Sequence, residues 1–484
     1  MARLWTGLPK LAWGNTAPKD ERRQGLVLSG GGARASFQIG ALRYLYDRAG
    51  IHPTTMVGTS AGSILTAMLS QYLDRDDQVA ALGRIEDLWL SMTRQDQMFA
   101  PRPWFQRLQE RGAEWGAALD RGVRPTSPDV PEPITDDEVA EAEELTGQAR
   151  TLQLATTEPT LTKSSLTAAQ VLPLMSLLPR LRTAGGDISM ILRGADASRS
   201  MFYPGAILLR LLDEEFFSSA RVATSGVVVR ISMVGLESGE LRYMTEKGEM
   251  VDRANQPVAD APVVDLSLGA LASCSIPAVF PPVQIGDDWY VDGGTREATP
   301  AEMAMGPLEV DDCYVVVSAP VQHPPVGSFA GKSMLSIVLR SVEILTDEAE
   351  RDEVALARGG GAMVIEPDLF VHDATTVDCG LTRINRDYGW LRAAEAHLGL
   401  GRREETQHRQ LIELRLKARL LEERVLDTPD DEELLLDLAR LKFTIRDHLS
   451  LLDSSRLPDD AQTWWRDWES HDPRPELKPT WLSH

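Results

Sequence analysis

Two stretches constrain this chain more than any others: LVLSGGGARA at 26–35 and VGTSAGS at 57–63. In each, a β-rich run enters a tight glycine-bearing turn and leaves it as a helix. After the first turn, ASFQIGALRYLYDRAG sets Phe37, Ala41, Leu42 and Leu45 near one helical face, and Gly50 supplies a stop. After the second, AGSILTAMLSQYL continues as another helix. Strand–turn–helix twice within about 45 residues predicts an α/β sheet whose working loops lie at the strand ends.

Such loops suit two chemistries, and spacing separates them. Gly30-Gly31-Gly32-Ala33-Arg34-Ala35 satisfies the GxGxxA pattern of a dinucleotide fold. That fold needs an acid at the end of the second strand to hold a ribose. Gly58-Thr59-Ser60 occupies the place, and Asp47 comes too early. A second glycine loop, Gly327-Ser328-Phe329-Ala330-Gly331-Lys332-Ser333, has three residues between its glycines where a phosphate loop has four. The shortfall removes amides from the cradle, so nucleotide binding is disfavoured.

A serine nucleophile explains more of the pattern. GTSAG (58–62) is GxSxG between strand and helix, the context that motif requires. Gly58 and Gly62 permit strand and helix to approach, and the sharp turn exposes the Ser60 hydroxyl at the end of the sheet. A helix starting near Ala61 adds a positive dipole end beneath it. The plainer reading, Ser60 as a helix cap, uses the same position. Attack on an ester creates an oxyanion that needs fixed donors, and losing one donor costs about 3 kcal/mol. The triple glycine at a neighbouring strand end offers such amides. The glycine loop is thus expected to serve the serine and not a phosphate.

The serine also needs a base. Of the eight histidines (52, 323, 372, 397, 408, 448, 471 and 484), His323 in SAPVQHPP, after a strand, is the one in a suggestive context. VDGGTREATP (291–300) is the stronger candidate: Asp292 ends a β-rich run, and Gly293-Gly294 let the backbone turn. DGG alone is commonly just a turn. An exposed aspartate, with a pKa of about 4, is a weak base, so burial has to raise its basicity.

The remaining organisation is coarser. Residues 94–220 read as an insertion in the α/β core; their acidic run at 129–145 carries eight acids and no bases. Apolar stretches at 166–181 and 201–212 fit buried core or lipid-contact elements. A hairpin is expected across 225–245, turning at Glu237-Ser238-Gly239-Glu240, with strands at 289–292, 313–319 and 362–366 and a helix at 331–358. Near the C-terminus, Leu411, Leu414, Ala418, Leu421 and Val425 form one stripe and Leu434, Leu438, Leu441 and Ile445 another. They predict an antiparallel helical hairpin, with Thr428 as N-cap and Pro429 opening the second helix, and with packing or homodimerisation as its role.

Composition narrows the partners. With 50 Lys and Arg against 72 Asp and Glu, the formal charge of −22 disfavours nucleic acid and gives no help at an anionic lipid surface. Membrane contact is then expected to be apolar and local. Cys274, Cys313 and Cys379 make neither a disulfide framework nor a zinc pair. No apolar run reaches the roughly 18 residues of a spanning helix, and a soluble cytoplasmic protein is expected.

The ordered motifs GGGxR, GxSxG and DGG, with SCSIPAVFPPV (273–283) before the last, resemble the patatin-like phospholipases, lipid acyl hydrolases with a Ser–Asp dyad. The resemblance covers roughly residues 25–305 and extends toward RDYGWLRAAE (386–395). It implies a three-layer α/β/α fold with a mostly parallel sheet, a largely helical insertion and a C-terminal hairpin. The corresponding division is an N-terminal extension (1–24), a catalytic domain (25–395) and the hairpin and tail (396–484). Ser60 resembles the nucleophile and Asp292 the proton acceptor. Gly31, Gly32, Ala33 and Arg34 resemble the oxyanion hole, and no metal or cofactor is implied. The substrate class is an acyl ester of a membrane lipid, met peripherally. One departure stands out: Ala35 replaces the usual last glycine of the loop, and its methyl crowds the loop if φ must be positive there.

Overall fold

The computed structural model describes residues 22–107, 199–205, 209–210, 213–320 and 334–469. Both strand–turn–helix units are present. β1 (Gln24–Leu28) passes through a short 3-10 turn, Gly32–Arg34, into α1 (Ala35–Tyr44), and β2 (Thr55–Gly58) leads into α2 (Ala61–Leu69). α3 (Arg75–Leu90) follows, capped by Asp74, whose carboxylate accepts the Asp76 and Asp77 amides.

The strands alternate as a sheet buried on both faces demands. Leu26, Leu28, Met56, Val229, Ile231 and Val316 face one core, which α1, α2 and α3 cover. Val27, Val57, Val234, Val315 and Val317 face a second. The strands from the second half of the chain are β5 (Val228–Gly235), β6 (Leu241–Thr245), β7 (Met250–Val251), β8 (Val283–Ile285), β9 (Asp288–Asp292), β10 (Asp312–Val316) and β11 (Met363–Ile365). The order is β11-β10-β1-β2-β5-β6-β7, with β9 also on β5 and β8 on β9. The run from β11 to β5 is parallel; β6, β7, β8 and β9 pair antiparallel. The expected hairpin is β5–β6.

Helices α4 (Ser219–Ser225), α5 (Leu266–Ser273), α6 (Ala301–Met305), α7 (Met334–Gly359) and α8 (Cys379–Leu398) complete the layers. α5 and α8 lie on the first face, and residues of α6 and α7 cover the second. α8 packs lengthwise on α1 because glycines let the backbones touch. A Cβ on Gly389 would sit 1.9 Å from the Phe37 carbonyl oxygen, and one on Gly40 1.7 Å from that of Arg386.

Most of the 94–220 region, including the acidic run and 166–181, lies outside the described residues. Its root forms a two-stranded antiparallel ribbon, β3 (Phe99–Pro101) with β4 (Phe202–Pro204). The apolar stretch expected from 201 thus begins as a strand.

The C-terminal hairpin is α9 (Arg402–Asp427) and α10 (Glu432–Ser450). Leu411, Ala418, Val425, Leu438 and Ile445 are buried within the chain. The expected cap is corrected. Thr428 instead closes α9, bonding its hydroxyl back to the Arg424 carbonyl at 2.8 Å, and Pro429 stays outside the helix. Asp431 caps α10 through the Glu433 and Leu434 amides. A carboxylate next to free amides, with Glu432 and Glu433 in the first turn, satisfies the helix dipole better than a hydroxyl three residues earlier.

Buried charge joins hairpin to sheet layer. Arg415 on α9 bonds Asp387 of α8 at 2.7 Å and Glu469 at 2.6 Å, and it lies 3.9 Å from the Trp464 ring. Arg419 holds the Asp378 carboxylate at 3.0 and 2.6 Å.

Because the α1–α8 contact leaves no room for a methyl, Gly389→Ala is expected to lower the unfolding free energy by about 1–3 kcal/mol, read from urea denaturation midpoints.

Candidate active site

The two candidate side chains meet because β5 pairs with two strands on one edge. Over its first half β5 carries β2, with Ile231 opposite Gly58. Further along the same strand β9 takes over, with Met233 opposite Asp292. Asp292 therefore stands next to the end of β2, where Thr59 and Ser60 emerge. Ser232, between the two registers, bonds the Thr59 hydroxyl at 2.6 Å. Gly293 passes so close that a Cβ would fall 2.0 Å from the Ser232 hydroxyl oxygen.

Ser60 sits at φ 53°, ψ −127°, a conformation non-glycine residues rarely adopt. Such strain costs of order 1–3 kcal/mol and persists only where neighbours hold it. Here they do. The Ser60 amide donates to the Ser273 hydroxyl at 2.8 Å. Its carbonyl accepts from the Ser63 amide at 2.8 Å, the Ser63 hydroxyl at 2.6 Å and the Cys274 thiol at 3.1 Å. Gly62 lets α2 start against β1, since a Cβ there would meet the Leu28 carbonyl oxygen at 2.4 Å. The Ser60 side chain caps no helix amide.

Asp292 is 5% exposed. Its carboxylate accepts the Gly294 amide at 2.7 Å, and the Ser60 side chain lies among the groups that act on it. Burial pushes its pKa up to about 7, against the lowering effect of the Ser60 side chain and the Gly294 amide. Among the described residues no ion pair reaches it, and no histidine hydrogen-bonds either side chain. His323 and the 327–333 glycine loop lie outside the described residues.

The glycine loop departs in part from its expected form. Gly30 donates its amide to the Ala298 carbonyl at 3.0 Å. The Ala33 amide is taken by the Ala374 carbonyl at 2.8 Å and the Arg34 amide by that of Gly31 at 3.1 Å. Ala33 and Arg34 are therefore corrected as backbone oxyanion donors: the 3-10 turn and the neighbouring 372–378 strap already occupy their N–H groups. The amides of Gly31 and Gly32 have no partner among the described residues. Gly32 is at φ 56°. Ala35 takes φ −57°, an ordinary helical value, so its methyl brings no backbone strain.

Beside Ser60 lies an apolar cavity of about 30 Å³, lined by Gly32, Ala61, Ile64, Met98, Phe99, Gly205, Cys274, Ile276 and Phe280. The sequence reading missed the contributions of Met98, Phe99 and Gly205, which come from the ribbon at the root of the insertion. It also missed the brace of Ser273 and Cys274, although SCSIP was noticed as a segment. Among the described residues no His, Cys, Asp or Glu cluster is arranged to hold a metal ion, and no helix is long and apolar enough to cross a membrane.

The patatin-like phospholipase model matches residues 26–177 and 191–305, more than half of the chain. This chain belongs to the patatin-like phospholipase family. It is thereby placed among lipid hydrolases, with the motif-bearing strand ends inside the matched span. None of the curated proteins compared matches the chain. Among solved structures it is similar to VipD from Legionella pneumophila, at 13% identity over 93% of this chain and 84% of that one, with a TM-score of 0.30. It is also similar to the type III effector protein ExoU, at 12% identity over 92% and 71%, with a TM-score of 0.23. ExoU in complex with SpcU from Pseudomonas aeruginosa matches at 14% identity over 92% and 68%, with a TM-score of 0.20.

The raised pKa fixes a sign for stability. Between the ordinary carboxyl value of 3.8 and about 7, folded Asp292 keeps a proton that the unfolded chain releases. Its contribution to stability therefore falls as pH rises through that window. Asp292→Asn, which stays neutral, is expected to melt at a higher temperature than the parent at pH 8, with the gap shrinking toward pH 4, as followed by thermal denaturation.

Proposed function

We propose that the protein is a serine lipid acyl hydrolase, phospholipase A-like, that cleaves acyl esters of membrane lipids through a Ser60–Asp292 dyad and an acyl-enzyme. The observation that carries the reading is the β5 register that brings the end of β2, where Ser60 emerges, beside the buried Asp292, whose pKa is raised to about 7. A carboxylate of that basicity takes a serine proton at neutral pH far better than an exposed one.

Asp292 accepts the proton as the Ser60 oxygen attacks the acyl carbonyl carbon. The carbonyl π electrons move onto oxygen, and the amides of Gly31 and Gly32 receive the charge. Collapse re-forms the carbonyl and breaks the ester C–O bond, while Asp292 returns its proton to the departing alcohol. Water, deprotonated by Asp292, then attacks the acyl-serine and releases the fatty acid. The strained Ser60 backbone keeps the hydroxyl aimed at the apolar cavity, and the acyl chain lies along the α2 side near Ile64. Access to lipid is peripheral and apolar, in keeping with the net charge of −22.

A fluorophosphonate probe is expected to label Ser60, and Ser60→Ala to abolish both labelling and ester hydrolysis. Asp292→Asn should lower kcat/KM by about 10²–10⁴-fold. His323→Ala should leave the rate unchanged; the reverse pattern would favour a Ser-His-Asp esterase, and absence of labelling an acyl-binding scaffold. In the parent, log kcat/KM for a neutral ester should climb with unit slope below about pH 7 and level off above it, as Asp292 ionises.

A further inference from the structure

The glycine loop is held from outside by the strap at residues 372–378, just ahead of α8. The Ala374 carbonyl takes the Ala33 amide at 2.8 Å. The strap backbone lies so close to Gly32 that a Cβ there would meet the Ala374 oxygen at 2.4 Å. The strap is internally tied: the Asp373 carboxylate accepts the Thr375 amide and hydroxyl, each at 2.8 Å. Its position therefore sets where the Gly31 and Gly32 amides point.

One side chain connects the strap to the roof of the cavity. The amide group of Gln95 donates to the Thr375 carbonyl and accepts the Val377 amide at 2.9 Å, gripping the strap on both sides of Thr376. Gln95 begins the short turn Gln95–Gln97 that runs directly into Met98 and Phe99. Phe99 stacks on Phe280, with ring centroids 5.7 Å apart and planes at 14°, and both line the cavity beside Ser60. At about 30 Å³ that cavity is small, so an acyl chain seated beside Ser60 bears on this roof.

We propose that Gln95 is a positioning residue for the oxyanion loop, tying the aromatic ribbon that roofs the acyl cavity to the strap that holds Gly32 and Ala33. The inference rests on the serine-hydrolase reading above. Gln95 touches neither the ester nor Ser60; it fixes the frame that carries the donor amides. Displacement of the ribbon by an acyl chain then reaches the oxyanion loop through two hydrogen bonds.

The test compares Gln95→Leu with the parent on p-nitrophenyl butyrate. Gln95 is exposed, so the substitution leaves the core intact. Misplacing donors costs less than deleting one, and kcat is expected to fall about tenfold with KM changed less than twofold. Fluorophosphonate labelling should slow by the same factor. Gln97→Ala is the control: its side chain accepts the Thr93 and Arg94 amides at 2.7 and 2.9 Å. It should keep the parent kcat. A parent-like kcat in Gln95→Leu, an equal fall in Gln97→Ala, or a fall confined to KM overturns the proposal. If the parent neither hydrolyses the ester nor takes the label, the serine reading itself fails and this one with it.

Discussion

The site depends on one strand serving as a ruler. β5 pairs with β2 up to Ile231 and with β9 from Met233, so two strand ends from distant parts of the chain arrive on one line of hydrogen bonds. A register shift of one residue on either side would turn Ser60 or Asp292 to the opposite face. The pairing is pinned by side chains as well as ladder bonds. The Thr59 hydroxyl bonds Ser232 at 2.6 Å and the Glu297 carbonyl at 3.2 Å, which locks the elbow to both β5 and the segment beyond Asp292.

Strain and polarity concentrate where that line ends. Ser60 holds an unfavourable backbone conformation, Asp292 a carboxylate poorly solvated by its surroundings, and Gly31 and Gly32 two amides without partners among the described residues. Each costs stability, and each is kept in place by a well-paired neighbour: the Ser63, Ser273 and Cys274 contacts for Ser60, the Gly294 amide for Asp292, the strap for the loop. This division fits a site prepared for charge that develops only during reaction.

Much of this was legible in the sequence, and the reasons are local. Short β-rich apolar runs and glycine turns mark β1, β2, β5, β6 and β9 because a sheet covered on both sides needs apolar residues on both. GxSxG and DGG are readable because close backbone approach admits few residue types. The ribbon β3–β4 was not legible, since two short strands separated by a long stretch carry no periodic signal. Nor was the commitment of the Ala33 amide, which depends on Ala374, far away in sequence and without distinctive chemistry. The cap of α10 was misplaced by three residues because Thr428 and Asp431 both satisfy the local rule. Only the fold shows that the Thr428 hydroxyl turns back on α9.

The buried pairing of Arg415 with Asp387 and Glu469 has a bearing on how the chain matures. Segments emerge from the ribosome in order, and earlier parts tend to organise first. The sheet and α8 precede α9, and Asp387 already pairs with Arg386 on its own helix at 2.6 Å, so it is Arg415 that draws its partners from two separate places, Asp387 and Glu469. An uncompensated charge inside a protein is costly. The hairpin therefore settles against α8 only when Glu469 has reached Arg415, which ties the packing of the last helices to that of the sheet layer.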